Sequence, residues 1–229
     1  MTRLHFVWLG SKRAKKNGVS EKGWRLDMAA RAGLPVPNGG ILLDNFYWLA
    51  VHEEVVQIVD GRAHIPSPPA LYDLLYTAVR FPQLDKPGII RPLFTDADTA
   101  VSPPFAVLMA DPVALAAALG QLWQAAPPDD TSRHDLLIQE MVAIEVEGTA
   151  VTASNHPADT ITVANTSFDL PQLTGWRRPT AARPDHLRRL QQLLRGVRRT
   201  FGAGEWQVQW MDDGRVCWLL HILNNSTPA

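Results

Sequence analysis

Lys22 stands in the first turn of a helix that the sequence predicts from about Glu21 onward, where the helix dipole disfavours a cation. It therefore needs some other reason to be there, the blandest being a solvated lysine beside a packing turn. Few other groups in the chain could do chemistry. They are a second cation, Arg80, the run Gln139-Glu140-Met141-Val142, and a closing stretch that holds Gln207, Gln209, Asp212, Asp213 and His221. Common catalytic constellations are missing: there is no Gly-x-Ser-x-Gly, no Walker loop, no His-Glu-x-x-His and no cysteine cluster. No residue is nominated as catalytic or as a metal ligand.

The elements that must position them follow from periodicity and breakers. Trp24, Leu26, Met28 and Ala32 form the apolar face of a short helix, with Ser20 as N-cap and Gly33 as the residue that ends it. Pro35 and Pro37 fix φ twice and bias Leu34 and Val36 to extended conformations, so the chain leaves the helix in one direction, into a strand at Ile41 to Leu43. Leu4 to Leu9 reads as a first strand and Gly10 to Gly18 as a basic loop. Asp44 is expected to cap a helix through about Val59, ended by Asp60-Gly61, with another helix over Ala70 to Ala78. Phe105 to Ala110 reads as a strand, Asp111-Pro112 as a helix start, and Pro127 to Arg133 as a polar loop.

Leu136 to Val142 and Glu145 to Thr152 suit two adjacent strands, with a further strand over Asp159 to Asn165 and a loop over Thr166 to Pro184. Asp185 to Arg199 is amphipathic, with Leu187, Leu190, Leu194 and Val197 inward and six arginines from Arg183 to Arg199 mostly outward. A hairpin closes the chain: Trp206 to Met211, a turn at Asp212-Asp213-Gly214, then Arg215 to Ile222.

The segment Glu21-Lys22-Gly23, Leu26, Met28, Ala32-Gly33-Leu34-Pro35-Val36-Pro37, Gly39 resembles the N-terminal signature of the ATP-binding domain of phosphoenolpyruvate synthase and pyruvate phosphate dikinase, an ATP-grasp variant. Gln139-Glu140-Met141-Val142 resembles the family's Gln-x-Met-Val, and Phe201-Gly202 and the final hairpin follow its order. The resemblance implies an α+β, ATP-grasp-like fold: two lobes of mainly antiparallel sheet with packed helices, an N-terminal lobe over residues 1–104 and a C-terminal lobe over 105–229. It implies ATP as ligand, Lys22 on its phosphates, and Gln139, Glu140, Met141 and Val142 as the hinge whose backbone meets the adenine edge. Val79-Arg80 falls where the family carries Val-Arg-Ser-Ser, so Arg80 is either a phosphate contact or a cation favoured at a helix C-terminus. Gly88 is either the remnant of a phosphate-loop glycine or an ordinary turn.

The resemblance also fails in places. Where the family has a metal-binding glutamate and glutamine, this chain has Gln209 and either Leu220 or His221, and Ile222 or Leu223 replaces an arginine. Mg²⁺ prefers charged oxygen ligands, so a neutral amide leaves its place in doubt. Asp212 and Asp213, as turn residues, are expected to face solvent. None of the seven histidines stands in the family's phospho-carrier motif. Phosphotransfer is thus expected to be weak, lost, or dependent on a separate histidine-bearing phospho-acceptor protein; if active, the chain is an ATP-dependent phosphotransferase. The alternative is a pseudoenzyme or interaction module that keeps the fold without the nucleotide.

Composition sets the remaining bounds. A chain of 229 residues, 46% hydrophobic, with net charge −1 can bury a good core. Near-neutral charge gives no electrostatic case for nucleic acid, and the local basic patches read as solvated faces. One cysteine, Cys217, rules out an internal disulfide and fits a reducing compartment, and no apolar run is long enough for a membrane span. A cytoplasmic protein is expected.

Overall fold

The structure, a computed structural model, describes residues 4–94, 105–126 and 133–225. It divides into two units, one of residues 1–23 with 38–141 and one of 24–37 with 142–229. The expected boundary at 104/105 falls inside the first unit, where the strands on either side of it pair with each other. Each unit is an antiparallel sheet with helices packed on it, so the class is α+β.

In the first unit the elements are β1 (Phe6–Trp8), the start of α1 (Glu21–Arg31), β2 (Gly39–Leu42), α2 (Asp44–His52), β3 (Gln57–Val59), β4 (Arg62–His64), α3 (Pro68–Asp73), β5 (Gly88–Pro92), β6 (Phe105–Val107), α4 (Pro112–Gln124) and β7 (Leu136–Glu140). The main sheet runs β1-β2-β7-β5-β6. β7 is central, and its Leu-Leu-Ile-Gln is buried on both faces. Successive strand residues face opposite sides, so Gly40, Leu42, Leu136, Ile138 and Ile90 share one face, which carries the main core with Phe46, Leu71, Leu75, Leu115, Leu119 and Leu122. Ile41, Leu137, Gln139, Ile89 and Arg91 share the other.

Local chemistry explains most of the boundaries. Asp111 Oδ1 accepts from the N–H groups of Val113 and Ala114, with Pro112 opening α4. α1 closes in a Schellman turn, in which Leu34 N–H donates to Ala29 O, Gly33 N–H donates to Ala30 O, and Gly33 takes φ +80°. Ser20 is not its side-chain cap, because Ser20 Oγ is buried without a hydrogen-bond partner.

The expected long helix from Asp44 is cut short at His52. Asp60 (φ 51°) and Gly61 (φ 72°) form a two-residue hairpin turn that pairs β3 with β4, so this Asp-Gly is a strand signal and not a helix end. α3 continues as one π turn over Leu74–Ala78, which completes the expected helix over Ala70 to Ala78. Of the expected loop Pro127 to Arg133, residues 127–132 lie outside the described residues.

The second unit holds the rest of α1 from Trp24, β8 (Val146–Ala153), β9 (Ala158–Val163), β10 (Thr166–Pro171), α5 (Asp185–Phe201), β11 (Glu205–Asp212) and β12 (Cys217–Asn224), with sheet order β10-β9-β8-β11-β12. β7 and β8 are therefore in different sheets and not adjacent. The start of the expected loop at Thr166 is a strand, turned by Ala164 and Asn165 at positive φ. α5 packs on β8 and β12, burying Leu190, Leu193, Leu194 and Val197, each contributing about 1.5–3 kcal/mol. The Leu34-Pro35 turn docks in this unit. Pro35 O accepts from Leu219 N–H, and a Cβ on Gly196 would lie 2.5 Å from Leu34 Cδ2, so Leu34 needs that glycine.

Two of the outward-reading arginines turn inward. Arg189 forms a two-pronged pair with Asp212, and Arg198 binds Asp159. Cys217 is 3% exposed, and burial, then the Asp212 charge, push its thiol up against the opposing effect of Arg189. Because the thiolate is the reactive form, Ellman's reagent is expected to modify the folded chain about two orders of magnitude more slowly than the unfolded chain. A fast native reaction would show that β12 opens. Among the described residues no helix is long and apolar enough to cross a membrane.

Candidate functional site

Gly39, at the end of the signature, and Gln139, at the start of the predicted hinge, meet within the first unit. Gly39 pairs in register with Gln139, and Gly40 with Ile138. A Cβ on Gly39 would overlap the Ile138 carbonyl oxygen and lie 2.7 Å from Gln139 Cα, so the glycine is required by the approach of two backbones. Asn38 fastens the end of β7 twice: its carbonyl accepts from Glu140 N–H (2.8 Å) and its side-chain amide donates to Glu140 Oε1 (3.2 Å). Met141 N–H donates to Pro87 O at 2.7 Å.

These contacts correct part of the hinge expectation. The N–H groups of Glu140 and Met141 are satisfied by protein carbonyls, so neither is available to a base. Gln139 is buried at 3% within the sheet, whereas Met141 is 44% exposed. Met141 and Val142 lie in the chain link between the two units, and Val142 is partly exposed, as Glu140 is.

Lys22 sits at the start of α1, next to Gly23, whose missing Cβ lets the helix approach Ile41 and Leu93 closely. Ile41 and Gln139 share a face of the sheet, so α1 enters over the Gln139 face. Arg80 does not join it. The neighbouring Phe81 packs against Gly40, Phe6 and Trp8 on the opposite face. Arg80 itself is exposed and left-handed (φ 60°), just past the π turn.

The cation on the Gln139 face is Arg91, in register with Leu137 on β5 and next to Ile89, which pairs with Gln139. Sequence reading misses it because it offers only a loop remnant or a turn at Gly88 and no strand after it. Gly88 is neither loop nor turn. It is a buried strand residue whose Cβ would lie 2.6 Å from Met109 Sδ. The signal available was the β-branched pair Ile89-Ile90 bounded by Gly88 and Pro92.

The closing hairpin is as predicted in outline, and its register decides what faces Gln209. A bulge lies between Gln209 and Trp210, so Gln209 stands opposite His221, with Leu220 skipped. The two aspartates are not solvent-facing turn residues. Asp212 is fully buried; its oxygens accept from Arg189 (2.8 and 2.6 Å) and from Gly214 N–H. Asp213 accepts from Arg215 N–H, Val216 N–H and Trp218 Nε1. Burial alone would raise the Asp213 pKa, but these hydrogen bonds and the Arg189 charge hold it below its ordinary value. Both carboxylates are committed to protein donors. Among the described residues no three His, Cys, Asp or Glu side chains gather as a metal site.

No family model and no curated protein matches the sequence. Solved structures overlap in architecture. D-alanine–D-alanine ligase from Bacillus anthracis complexed with ATP is 9% identical with TM-score 0.47, covering 90% of this chain and 55% of that one. N5-carboxyaminoimidazole synthase from Aspergillus clavatus with ADP is 16% identical with TM-score 0.45, covering 93% and 47%. The ATP-grasp ligase PsnB with a precursor peptide and AMPPNP is 13% identical with TM-score 0.44, covering 96% and 53%. This chain spans about half the length of each.

Proposed function

We propose that this chain is an ATP-grasp-like nucleotide-binding domain related to that of phosphoenolpyruvate synthase and pyruvate phosphate dikinase, with phosphotransfer weak, partner-dependent or lost. The supporting observation is that the signature turn Asn38-Gly39 is hydrogen-bonded and in register with Gln139-Glu140. Two segments about a hundred residues apart in sequence, each singled out for one ligand, are thus adjacent strands of one sheet. In this reading Lys22 and Arg91 hold phosphates, where charge-assisted hydrogen bonds are strongest, and Met141 with Val142 meets the purine. Gln139 and Glu140 shape the wall behind it.

The occupied carboxylates of the hairpin support the loss of metal-assisted transfer, because phosphoryl transfer relies on a cation between the β- and γ-phosphates. A histidine-bearing partner would accept phosphate if any transfer remains. A specific observation also favours the second reading, an interaction module: Gln209, opposite His221, stands where the resemblance places the family's metal-binding glutamate.

Isothermal titration with ATP separates these readings. Saturable binding is expected, changed little by Mg²⁺, and at least about tenfold weaker in Lys22→Ala and Arg91→Ala, the loss of one charge-assisted contact. Arg80→Ala is expected to bind as the wild type does. Absence of heat at millimolar ATP would overturn nucleotide binding and leave the interaction module.

A further inference from the structure

The arginines of the second unit are divided with a clear purpose. Between Gln172 and Gly202 there are eight arginines, no lysine and one acid, Asp185. The whole chain has 22 basic and 23 acidic residues, so everything outside this segment holds 14 basic against 22 acidic. Net charge near zero therefore conceals a polar molecule.

Arg189 and Arg198 point inward to Asp212 and Asp159, and Arg188 is bridged to Asp185 at 2.8 Å. Arg177, Arg178, Arg183, Arg195 and Arg199 remain, and the contacts formed by Arg195 and Arg199 are to neutral carbonyls. Arg195 Nη1 donates to Arg177 O (2.9 Å) and reaches Gly175 O (3.5 Å), and Arg199 Nη2 donates to Gly175 O (3.3 Å). Carbonyls order a guanidinium without cancelling its charge.

What these two arginines hold in place is a turn with Trp176 at its tip. Gly175 takes φ +56°, Arg177 N–H closes on Thr174 O, and the Arg199 guanidinium lies 5.6 Å from the Trp176 ring centroid. Trp176 is 92% exposed, and it is the one large hydrophobic side chain exposed in this segment. A merely solvated face would leave its arginines mobile, since ordering them costs rotamer entropy. Here they are fixed around a ring with no core role.

We propose that this face binds single-stranded nucleic acid, one base stacking on Trp176 and the guanidinium groups taking neighbouring phosphates. The guanidinium fork fits phosphate in two-pronged geometry, and its exclusive use over lysine favours phosphate over a diffuse negative surface. An anchored aromatic ring among such groups is a stacking platform for a base. A lipid surface would be met by several apolar side chains, and only one is present. An acidic peptide would use the charge and leave the ring idle.

The test is fluorescence anisotropy of labelled single-stranded 20-mers of dT and rA with the full chain, from 50 to 300 mM NaCl. Binding is expected to weaken steeply with salt. Trp176→Ala is expected to weaken it roughly five- to a hundredfold, the effect of one stacked base, with rescue by Trp176→Phe. Arg178→Ala should lower the salt slope by about one unit. Because Trp176 is exposed, an unchanged urea midpoint will show that the variant folds. No binding at 50 mM NaCl, binding indifferent to Trp176→Ala, equal competition by poly-glutamate, or preference for phosphatidylserine vesicles would each overturn the proposal.

Discussion

Arg198→Ala is expected to destabilise the protein by about 3–5 kcal/mol, the cost of leaving a buried charge without its partner. Asp159 is 1% exposed and accepts from Arg198 Nη1 at both oxygens (2.9 and 3.0 Å), from Thr152 Oγ1 (2.6 Å) and from Gln172 Nε2 (2.7 Å). The Thr152 hydroxyl gives its one proton to Asp159 and accepts from Arg198 at 2.6 Å, so its bonding is internally consistent. These bonds join α5 to β8, β9 and the chain just after β10. Truncating Arg198 leaves a carboxylate with two neutral donors in a site that water does not reach.

The pair itself is not an ideal device. Arg198 Nη2 is buried without a hydrogen-bond partner, so a double replacement, Arg198→Met with Asp159→Asn, should recover most of the loss measured by urea unfolding. The surface pair Arg188–Asp185 serves as the control. Its side chains are 35% and 69% exposed, and Arg188→Ala should cost no more than about 0.5 kcal/mol. If the two alanine variants unfold at the same urea concentration, Arg198 does not hold this unit together.

The arginines also show where sequence reading stops. Periodicity placed α5 and its apolar face, because helix spacing is a local property. It could not assign Arg189 and Arg198 inward, since the carboxylates they answer lie on other strands. The same limit applies to Asp212, which reads as a turn residue and is a buried ion-pair partner.

Turn chemistry was legible only where its residues are distinctive. Gly33, Pro35 and Pro37 gave the exit from α1 correctly. Asp60-Gly61 was ambiguous between a helix end and a hairpin, and Ala164-Asn165 has no glycine to mark it, which hid β10. In the candidate site, the signature and Gln139 to Met141 stood out as strings. Which cation shares their face depends on sheet register, and that is how Arg91 was overlooked in favour of Arg80.

Gly39→Ala is expected to have the largest effect on the candidate site. The new Cβ would have to move β2 away from β7, since its neighbours are the Ile138 carbonyl and Gln139 Cα and not a flexible side-chain end. Overpacking of this kind costs about 1–3 kcal/mol where side chains can yield, and backbone neighbours place it at or above the upper end. The displaced pairing also carries the Asn38 contacts to Glu140, so the strand pair proposed to back the nucleotide should loosen with it. Stability and ATP affinity should therefore fall together in Gly39→Ala, whereas Asn38→Ala, which removes only the side-chain bond at 3.2 Å, should lower stability by about 1 kcal/mol or less. A Gly39→Ala protein with wild-type stability would mean that β2 and β7 do not pair closely. One that is destabilised yet binds ATP normally at low temperature would place the nucleotide somewhere other than beside this strand pair.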